Sequence, residues 1–376
     1  MTMLRIVKGL ALTASLAAAG LFLARPAAAA DSIRIAVAGP ITGSYAQFGA
    51  QLSKGAKLAV QHVNARGGIL GKSVELVPGD DACDPKQARA VANYLANQGV
   101  AAVIGHFCSS STLPASEVYA EEGVLQITPA STNPAVTERG IATLFRVCGR
   151  DDQQGGSAAR YIAERSEASR VAVIHDKTTY GQGLADETRK ALAARGKTEV
   201  LYEGISIGDK DFSALVSKMK AQGVDFIYFG GLHAEAALLL RQARDQGLAA
   251  PFMSGDGIVD KAFADIAGPA ADGVLMTFQS DPRKLPGAQA LVAEFRDQEQ
   301  YDPEGYTLLS YAALQVLAAA MDGAGSTDAG KVSAFMKAHP FETVLGTLHF
   351  DAKGDLSASP YVIYRWQGGT YAELPE

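Results

Sequence analysis

Residues 33–77 read IRIAVAGPITGSYAQFGAQLSKGAKLAVQHVNARGGILGKSVELV, and this stretch decides the fold class. Ile33 to Val37 is a short β-branched run of the kind that forms a buried strand. From about Ala50 to Ala65 the apolar residues recur at helical spacing, and Gly67-Gly68 stops the run. Val74 to Val77 is again strand-like. Strand, helix and strand in that order make a βαβ unit, because parallel strands need a crossover between them.

The alternation continues along the chain. Pro85 to Asn97 reads as a helix with proline in its first turn, Val100 to Gly105 as a third strand, Ser110 to Glu122 as a helix and Val124 to Pro129 as a fourth strand. A looser stretch from Ser131 to Val147 follows, and then the pattern restarts. Strands are expected at Arg170–His175, Val200–Ile205, Asp225–Gly230 and Phe252–Gly255, with helices near Leu184–Ala194, Asp211–Ala221 and Glu235–Gln246. The last third is less regular. It offers a strand at Gly273–Phe278, helices near Ala288–Gln300 and Thr307–Asp322, and strands at Thr347–Phe350 and Tyr361–Trp366. Two α/β halves with mostly parallel sheets are therefore expected, and the lack of a Pro- or Ser-rich linker implies short crossings between them.

Composition agrees with a two-domain globular chain: 376 residues, 48% hydrophobic and 20% charged, with three Cys, too few for a disulfide scaffold. The first thirty residues read differently. Arg5 and Lys8 precede an apolar stretch from Gly9 to about Leu23, and Ala28-Ala29-Ala30 stands before Asp31. This is the pattern of a secretory signal peptide cleaved after Ala30, shorter than the ~20 apolar residues a membrane span needs. The first Cys is Cys83, so no lipid-anchor Cys stands at the cleavage point, and a monomer free in the periplasm is expected. Removing residues 1–30 takes away Arg5, Lys8 and Arg25 and no acid, which moves the net charge from −6 to about −9. Such a balance argues against nucleic acid and anionic membrane as partners.

Open parallel sheets bind ligands where strands end and helices begin. After the third strand, Gly105-His-Phe-Cys-Ser-Ser-Ser-Thr112 opens a helix, and its free N–H groups and hydroxyls suit an anion. Ordinary capping by Ser109 or Ser110 is the plainer reading, though the hydroxyls exceed what a cap needs. After the next strand, Ile127-Thr-Pro-Ala-Ser-Thr-Asn-Pro134 brings Ser131 and Thr132 to an adjacent strand end, where a solvated turn is the plainer reading. In Tyr180-Gly-Gln-Gly183 the glycines let backbone approach a ligand closely. It fails as a dinucleotide fingerprint, since Asp186 replaces the third glycine. In Ser254-Gly-Asp-Gly257, Asp256 is a candidate partner for a cation or else a turn residue.

Hydrolase and nucleotide signatures are missing: there is no G-x-S-x-G, no lactamase set of boxes, no P-loop and no H-E-x-x-H. The six His show no zinc spacing, so neither metal nor cofactor is expected. Cys83 and Cys108 each follow a strand end and can pair in an oxidising compartment, closing a loop worth roughly 3.5 kcal/mol in the chain-entropy model. Three pairings are formally open. Cys148, beside Phe145 and Val147, reads as a buried thiol.

Gly79-Asp-Asp-Ala-Cys-Asp-Pro-Lys-Gln87, Ile104-Gly-His-Phe-Cys-Ser-Ser-Ser-Thr112 and His175-Asp-Lys-Thr-Thr-Tyr-Gly-Gln-Gly-Leu184 resemble the leucine/isoleucine/valine-binding proteins, periplasmic receptors of ABC importers. The likeness covers essentially the whole chain after the leader. It implies a type I periplasmic-binding-protein fold, two Rossmann-like lobes joined by three hinge crossings, with 31–150 plus 280–358 in lobe 1 and 151–279 plus 359–376 in lobe 2. It further implies that Ser109 and Thr132 bind a ligand carboxylate, that the Ala130 carbonyl receives the ammonium, and that Tyr180 and Asp256 close from the other lobe. Phe48, Phe107, Leu232 and Tyr306 fall where that family lines its side-chain pocket.

Departures from that pattern bear on the ligand. Asp256 stands where leucine-binding relatives have Glu, which retracts the carboxylate by about one C–C bond, near 1.5 Å. Leu232 and Phe48 replace Tyr, and Phe107 replaces Leu. A withdrawn acid suits an ammonium set farther from the carboxylate, as in γ-aminobutyrate. The expected function is capture of a neutral amino acid and delivery to a membrane permease, without catalysis. The rivals are a ligand sensor for a chemoreceptor and an exported serine hydrolase using Ser109 or Ser110.

Overall fold

β1 (Ile33–Gly39) starts the first sheet, and α1 (Ala46–Ala65) crosses over to β2 (Val74–Asp80). Here α2 (Pro85–Asn97) follows, capped by Asp84, whose carboxylate accepts from the N–H groups of Lys86 and Gln87 while Pro85 supplies a pre-set φ. Next come β3 (Ala102–Gly105), α3 (Ser109–Glu121), β4 (Leu125–Thr128), the short α4 (Ala135–Glu138) and β5 (Leu144–Arg146). All five strands are parallel, in the order β2-β1-β3-β4-β5. β3 and β4 are buried on both faces; β3 accordingly reads as an unbroken run, whereas β4 keeps Gln126 and Thr128, which donate to the carbonyls of Gly105 and His106. The computed structural model describes residues 32–357 and 361–375, so the expected leader at 1–30 and its cleavage point lie outside the described residues.

A second sheet is built from α5 (Asp151–Glu164), β6 (Val171–His175), α6 (Thr179–Ala193), β7 (Leu201–Gly204), α7 (Ser213–Ala221), β8 (Phe226–Gly230), α8 (His233–Asp245), β9 (Phe252–Ser254), α9 (Lys261–Ala267) and β10 (Leu275–Gln279). The chain continues with α10 (Gln289–Glu299), α11 (Thr307–Ala324), α12 (Ala329–Ala338) and the hairpin β11 (Phe341–Thr343) and β12 (Gly346–Leu348). α11 packs along α1 and is buried on nearly every face, which accounts for its almost uniformly apolar sequence. Finally β13 (Tyr361–Gln367) and β14 (Thr370–Glu373) join the second sheet antiparallel, in the order β14-β13-β10-β9-β8-β6-β7.

Each sheet has a point where the strand order reverses. In the first, the chain steps one way from β1 to β2 and the other way to β3; in the second, from β6 to β7 and then to β8. Loops at these reversals form the natural crevice of an open parallel sheet. They face each other here, because Tyr45 after β1 meets Glu235 at the start of α8.

Most element ends lie within a few residues of expectation. Two differences affect the cleft. α5 had no counterpart among the expected helices, because its polar start and Gly155-Gly156 blur the helical period. α6 starts at Thr179 and not near Leu184, so Tyr180 to Gly183 is its first turn and not a glycine loop. Thr178 caps it, its hydroxyl accepting from Gly181 N at 2.9 Å.

Candidate functional site

The first wall of the cleft is a set of neutral donors. α3 begins at Ser109 behind Cys108, and no side chain caps its first turn; Ser111 N and Thr112 N both donate to the Cys108 carbonyl at 2.9 Å, so the N–H groups of Ser109 and Ser110 and the positive end of the helix dipole are left for an anion. Ser109 is buried, and its Oγ accepts from Asn133 N at 3.3 Å. Neither Ser109 nor Ser110 acts as the cap. The surplus hydroxyls brace one another and the backbone instead. Ser131 Oγ lies 2.7 Å from Thr112 Oγ1, and Ser131 and Thr128 donate to the His106 carbonyl at 3.1 and 2.7 Å. Thr132 is fully buried beside the Asp151 carboxyl, but its Oγ1 is outside hydrogen-bond geometry with any described residue.

Two fastenings hold this wall. Cys83 and Cys108 form a disulfide with Cα atoms 5.5 Å apart, and Cys148 is free and buried. Beside the disulfide, His106 Nδ1 contacts Asp81 Oδ2 at 2.5 Å and Nε2 lies 3.0 Å from Tyr119 OH, all three side chains being buried. Both His106 nitrogens are therefore engaged away from the serines. Asp81 in turn accepts from Cys83 N at 2.7 Å, so the same two loops are tied twice.

Opposite stands an acid. Asp256 lies between two glycines because the backbone there is crowded: a Cβ at Gly255 would sit 2.5 Å from Gln154 Oε1, and one at Gly257 would sit 2.3 Å from the Gly231 carbonyl oxygen. Asp256 Oδ1 accepts from Tyr180 OH at 2.8 Å and from Gln154 Nε2 at 3.2 Å. Tyr180 OH itself accepts from Gly257 N at 2.9 Å. Burial pushes the Asp256 carboxyl up to about 6, against the pull of these hydrogen bonds. Burial and the neighbouring Asp256 charge also push the Tyr180 phenol well above its usual range.

Between the poles the cleft is apolar. Phe107 and Tyr306 meet edge to face at 4.9 Å, and Phe48 stacks against Phe107 at 4.4 Å. Tyr45, Ala130, Leu232 and Ile207 complete the lining of the cleft. The two sides are also linked directly. Tyr45 OH donates to Glu235 Oε2 at 3.1 Å, Gln47 Nε2 lies 2.6 Å from His233 Nε2, Gln51 Nε2 donates to Asp260 Oδ2 at 2.6 Å, and Tyr306 OH donates to the Asp256 carbonyl at 3.2 Å. His233 is packed edge-on against Tyr45 and Phe48, and burial lowers its pKa to about 4.

Of the expected site residues, Ser109, Ala130, Tyr180, Asp256, Phe107, Leu232 and Tyr306 line this cleft. Phe48 backs it through Phe107, and Thr132 is fully buried with its hydroxyl unpaired among the described residues. Sequence reasoning missed Tyr45, Thr178 and Ile207 in the lining. Tyr45 had a usable signal, since it follows the first strand. Gln154, which holds Asp256, sits on the overlooked α5. The expected closeness of Gly181 and Gly183 to a ligand is corrected: a Cβ at Gly181 would meet Asp176 Oδ1 at 2.1 Å and one at Gly183 would meet Asn133 Nδ2 at 2.3 Å, so their space is filled by protein.

The chain is similar to an amino acid binding protein of Pseudomonas aeruginosa, 56% identical over 345 residues, 91% of this chain and 92% of the relative. It is 54% identical over 331 residues to a Leu/Ile/Val-binding protein homolog of Brucella suis, 88% of this chain and 89% of the relative. Among solved structures, a leucine binding protein from Thermotoga maritima superposes with a TM-score of 0.86 at 30% identity, covering 91% of this chain and 98% of that one. A branched-chain amino acid transporter substrate binding protein from Streptococcus pneumoniae, in complex with isoleucine, gives 0.84 at 29%, with the same coverage. A profile of the family described as periplasmic binding protein matches residues 32–370, and the chain belongs to that family.

Proposed function

We propose that this protein captures a small neutral amino acid of the leucine, isoleucine and valine class in the cleft and delivers it to the permease of an ABC importer. The observation that carries this reading is the pairing of opposite poles across one cleft: the uncapped start of α3 on one side and buried Asp256 on the other. A zwitterion needs both. Ser109 and Thr132 hold the carboxylate by hydroxyl and backbone N–H, the Ala130 carbonyl and Asp256 receive the ammonium, and Tyr180 fixes Asp256. Phe107, Phe48, Leu232 and Tyr306 shape the room for the side chain. The names of the relatives and the isoleucine in the Streptococcus structure support the ligand class.

In this reading residues 31–150 plus 280–358 form one lobe and 151–279 plus 359–376 the other. A ligand touching both lobes shifts the open–closed equilibrium by its differential affinity for the two states, and the permease reads the closed form. The protein works as a periplasmic monomer, cleaved after Ala30, and transforms nothing; His106, held by Asp81 and Tyr119, supplies no base to a serine.

A second reading has the same fold take γ-aminobutyrate. The recessed Asp256 and the Phe48–Phe107–Tyr306 stack favour it, since they lengthen the reach to the acid and narrow the room for a branched side chain. Titration calorimetry with leucine, isoleucine, valine, alanine, proline and γ-aminobutyrate decides. Saturable binding of leucine or valine supports the first reading. Failure of both, with γ-aminobutyrate bound, replaces it by the second, and no binding by any of the six undoes both. Growth on the amino acid after deletion separates uptake from signalling through a chemoreceptor.

A further inference from the structure

A second carboxyl stands behind the acid pole, and the function proposed above leaves it without a role. Asp151 opens α5 and is fully buried, outside the lining of the cleft. Gln154, on the same helix, connects it to Asp256. Its Nε2 lies 3.2 Å from Asp256 Oδ1 and 3.5 Å from Asp151 Oδ1, the latter at the outer edge of hydrogen bonding. The amide cannot be turned over, because Oε1 accepts from Asp256 N at 2.8 Å and from Thr277 Oγ1 at 2.7 Å.

The two acids are unequally provided for. Asp256 has the Tyr180 hydroxyl as well as Gln154, whereas Asp151 has the Thr132 hydroxyl beside it but its Oδ2 makes no hydrogen bond within geometry among the described residues. Arg146 of β5 carries the positive charge on this side, but its guanidinium is committed to Asp355, to Thr137 and to the carbonyls of Ser131 and Asn133. Asp152, next in the chain, turns to Arg150. The other titratable groups around the pair are Cys148, Tyr180, Tyr228, Tyr306 and Tyr361, and burial pushes every one of them up, toward the uncharged form. Two carboxylates in so dry a place compete to stay ionised.

We propose that Asp151 and Asp256 act as a dyad holding one negative charge between them, with the proton resting on Asp151, and that this single charge limits the acid pole to one ligand ammonium. Burial and the Asp256 charge hold the Asp151 carboxyl well above the usual carboxylate range, in keeping with that assignment. A doubly charged pole would suit a dicationic ligand, and an uncharged one would hold no ammonium. In the wild type Asp151 thus stays neutral and leaves the single charge on Asp256. When Asp256 cannot ionise, the competition ends, Asp151 releases its proton to solvent and the charge moves one residue deeper.

A double-mutant cycle read by calorimetry tests this, with leucine as probe, or γ-aminobutyrate should the wild type bind that instead. Asp151→Asn alone is expected to change the affinity less than about threefold between pH 6 and 8. Asp256→Asn is expected to weaken binding about 100-fold or more, the usual result of removing one partner of a buried pair, while keeping a residual affinity that rises with pH. Adding Asp151→Asn to Asp256→Asn is expected to remove that residual and its pH dependence. A loss of about 30-fold or more from Asp151→Asn alone, or a residual in Asp256→Asn that is flat with pH and indifferent to the second change, overturns the dyad. Should Asp256→Asn fail to fold, by circular dichroism and thermal melting, the pH profile of Asp151→Asn against wild type decides: overlapping profiles support the proposal and diverging ones refute it. The inference rests on the amino-acid reading, but the two fail differently. A wild type that binds no amino acid undoes that reading, whereas a wild type that binds, with additive variants, undoes only the dyad.

Discussion

Gly183 of α6 and Asn133 of the loop after β4 meet face to face across the cleft: a Cβ on Gly183 would lie 2.3 Å from Asn133 Nδ2. The same nitrogen donates to the Thr179 carbonyl at 2.8 Å, so it is not free to swing aside. A side chain at position 183 therefore obstructs the contact between the two sides without touching either sheet. Gly183→Val should leave the unfolding midpoint of the ligand-free protein unchanged and weaken ligand binding about tenfold or more, because only the closed population binds tightly. Paired melting and calorimetry check this, and wild-type affinity in the variant would mean that the contact does not belong to closure.

Tyr180 positions the acid. Its hydroxyl spans Asp256 Oδ1 and Gly257 N, so Tyr180→Phe removes a hydrogen bond to a charged group, typically about 1.5–3 kcal/mol, or roughly 10- to 100-fold in affinity. The same change takes away one of the bonds that hold the Asp256 pKa down, so the acid limb of the affinity profile should move to higher pH. An affinity loss without that shift would mean that Tyr180 contributes shape alone.

Acid should open the cleft. Asp256 titrates at about 6 and accepts an ammonium only when ionised, so binding is full above that pH and falls about tenfold per unit below it. His233 acts in the same direction. Its pKa is about 4 when buried between Tyr45 and Phe48, against ~6.5 for an exposed imidazole. The closed form is favoured above pH 6.5, and that preference is lost as the pH falls toward 4. His233→Gln should leave only the decline that starts near 6. Affinity that is constant from pH 5 to 8 would contradict the assignment of both groups.

Double fastening of the donor wall predicts a graded response to reduction. The bond between Cys83 and Cys108 closes a separation of 25 residues, worth roughly 3.5 kcal/mol in the chain-entropy model. Replacing both by alanine should lower the urea midpoint accordingly. Ligand stoichiometry should survive, because the contacts of His106 with Asp81 and Tyr119 still join the loops. Loss of all binding on reduction would show that those contacts cannot hold the wall alone.

The alternation of strand and helix was legible because two-sided burial turns β3 and β6 into short apolar runs, and because Asp84-Pro85 marks the start of α2 unambiguously. Strand ends then pointed to Ser109, Ser110, Tyr180 and Asp256, which do line one cleft, and to Ser131 and Thr132, which are buried outside its lining; Ala130 was implied by the resemblance alone. What lay hidden had physical causes. Gln154 and Asp151 sit on a helix whose first turn is polar and whose middle holds a glycine pair, so no apolar stripe announces it. Tyr45 and Ile207 line the cleft from loops without a motif. Phe48 precedes the expected start of the first helix near Ala50, and only the tertiary packing reveals that it backs Phe107. The extra hydroxyls of Thr112 and Ser131, legible as an anion site, instead brace the His106 carbonyl.

The central claim is that two opposite poles grip one dipolar ligand, and charge-edited analogues test it most directly. Calorimetry would compare leucine with leucinamide, which lacks the carboxylate, and with 4-methylpentanoate, which lacks the ammonium. Should γ-aminobutyrate be the wild-type ligand, its amide and butyrate take their places. The account predicts that each analogue binds at least about 100-fold more weakly than the parent amino acid, since each leaves one buried pole unpaired. An analogue that binds as well as its parent would contradict it.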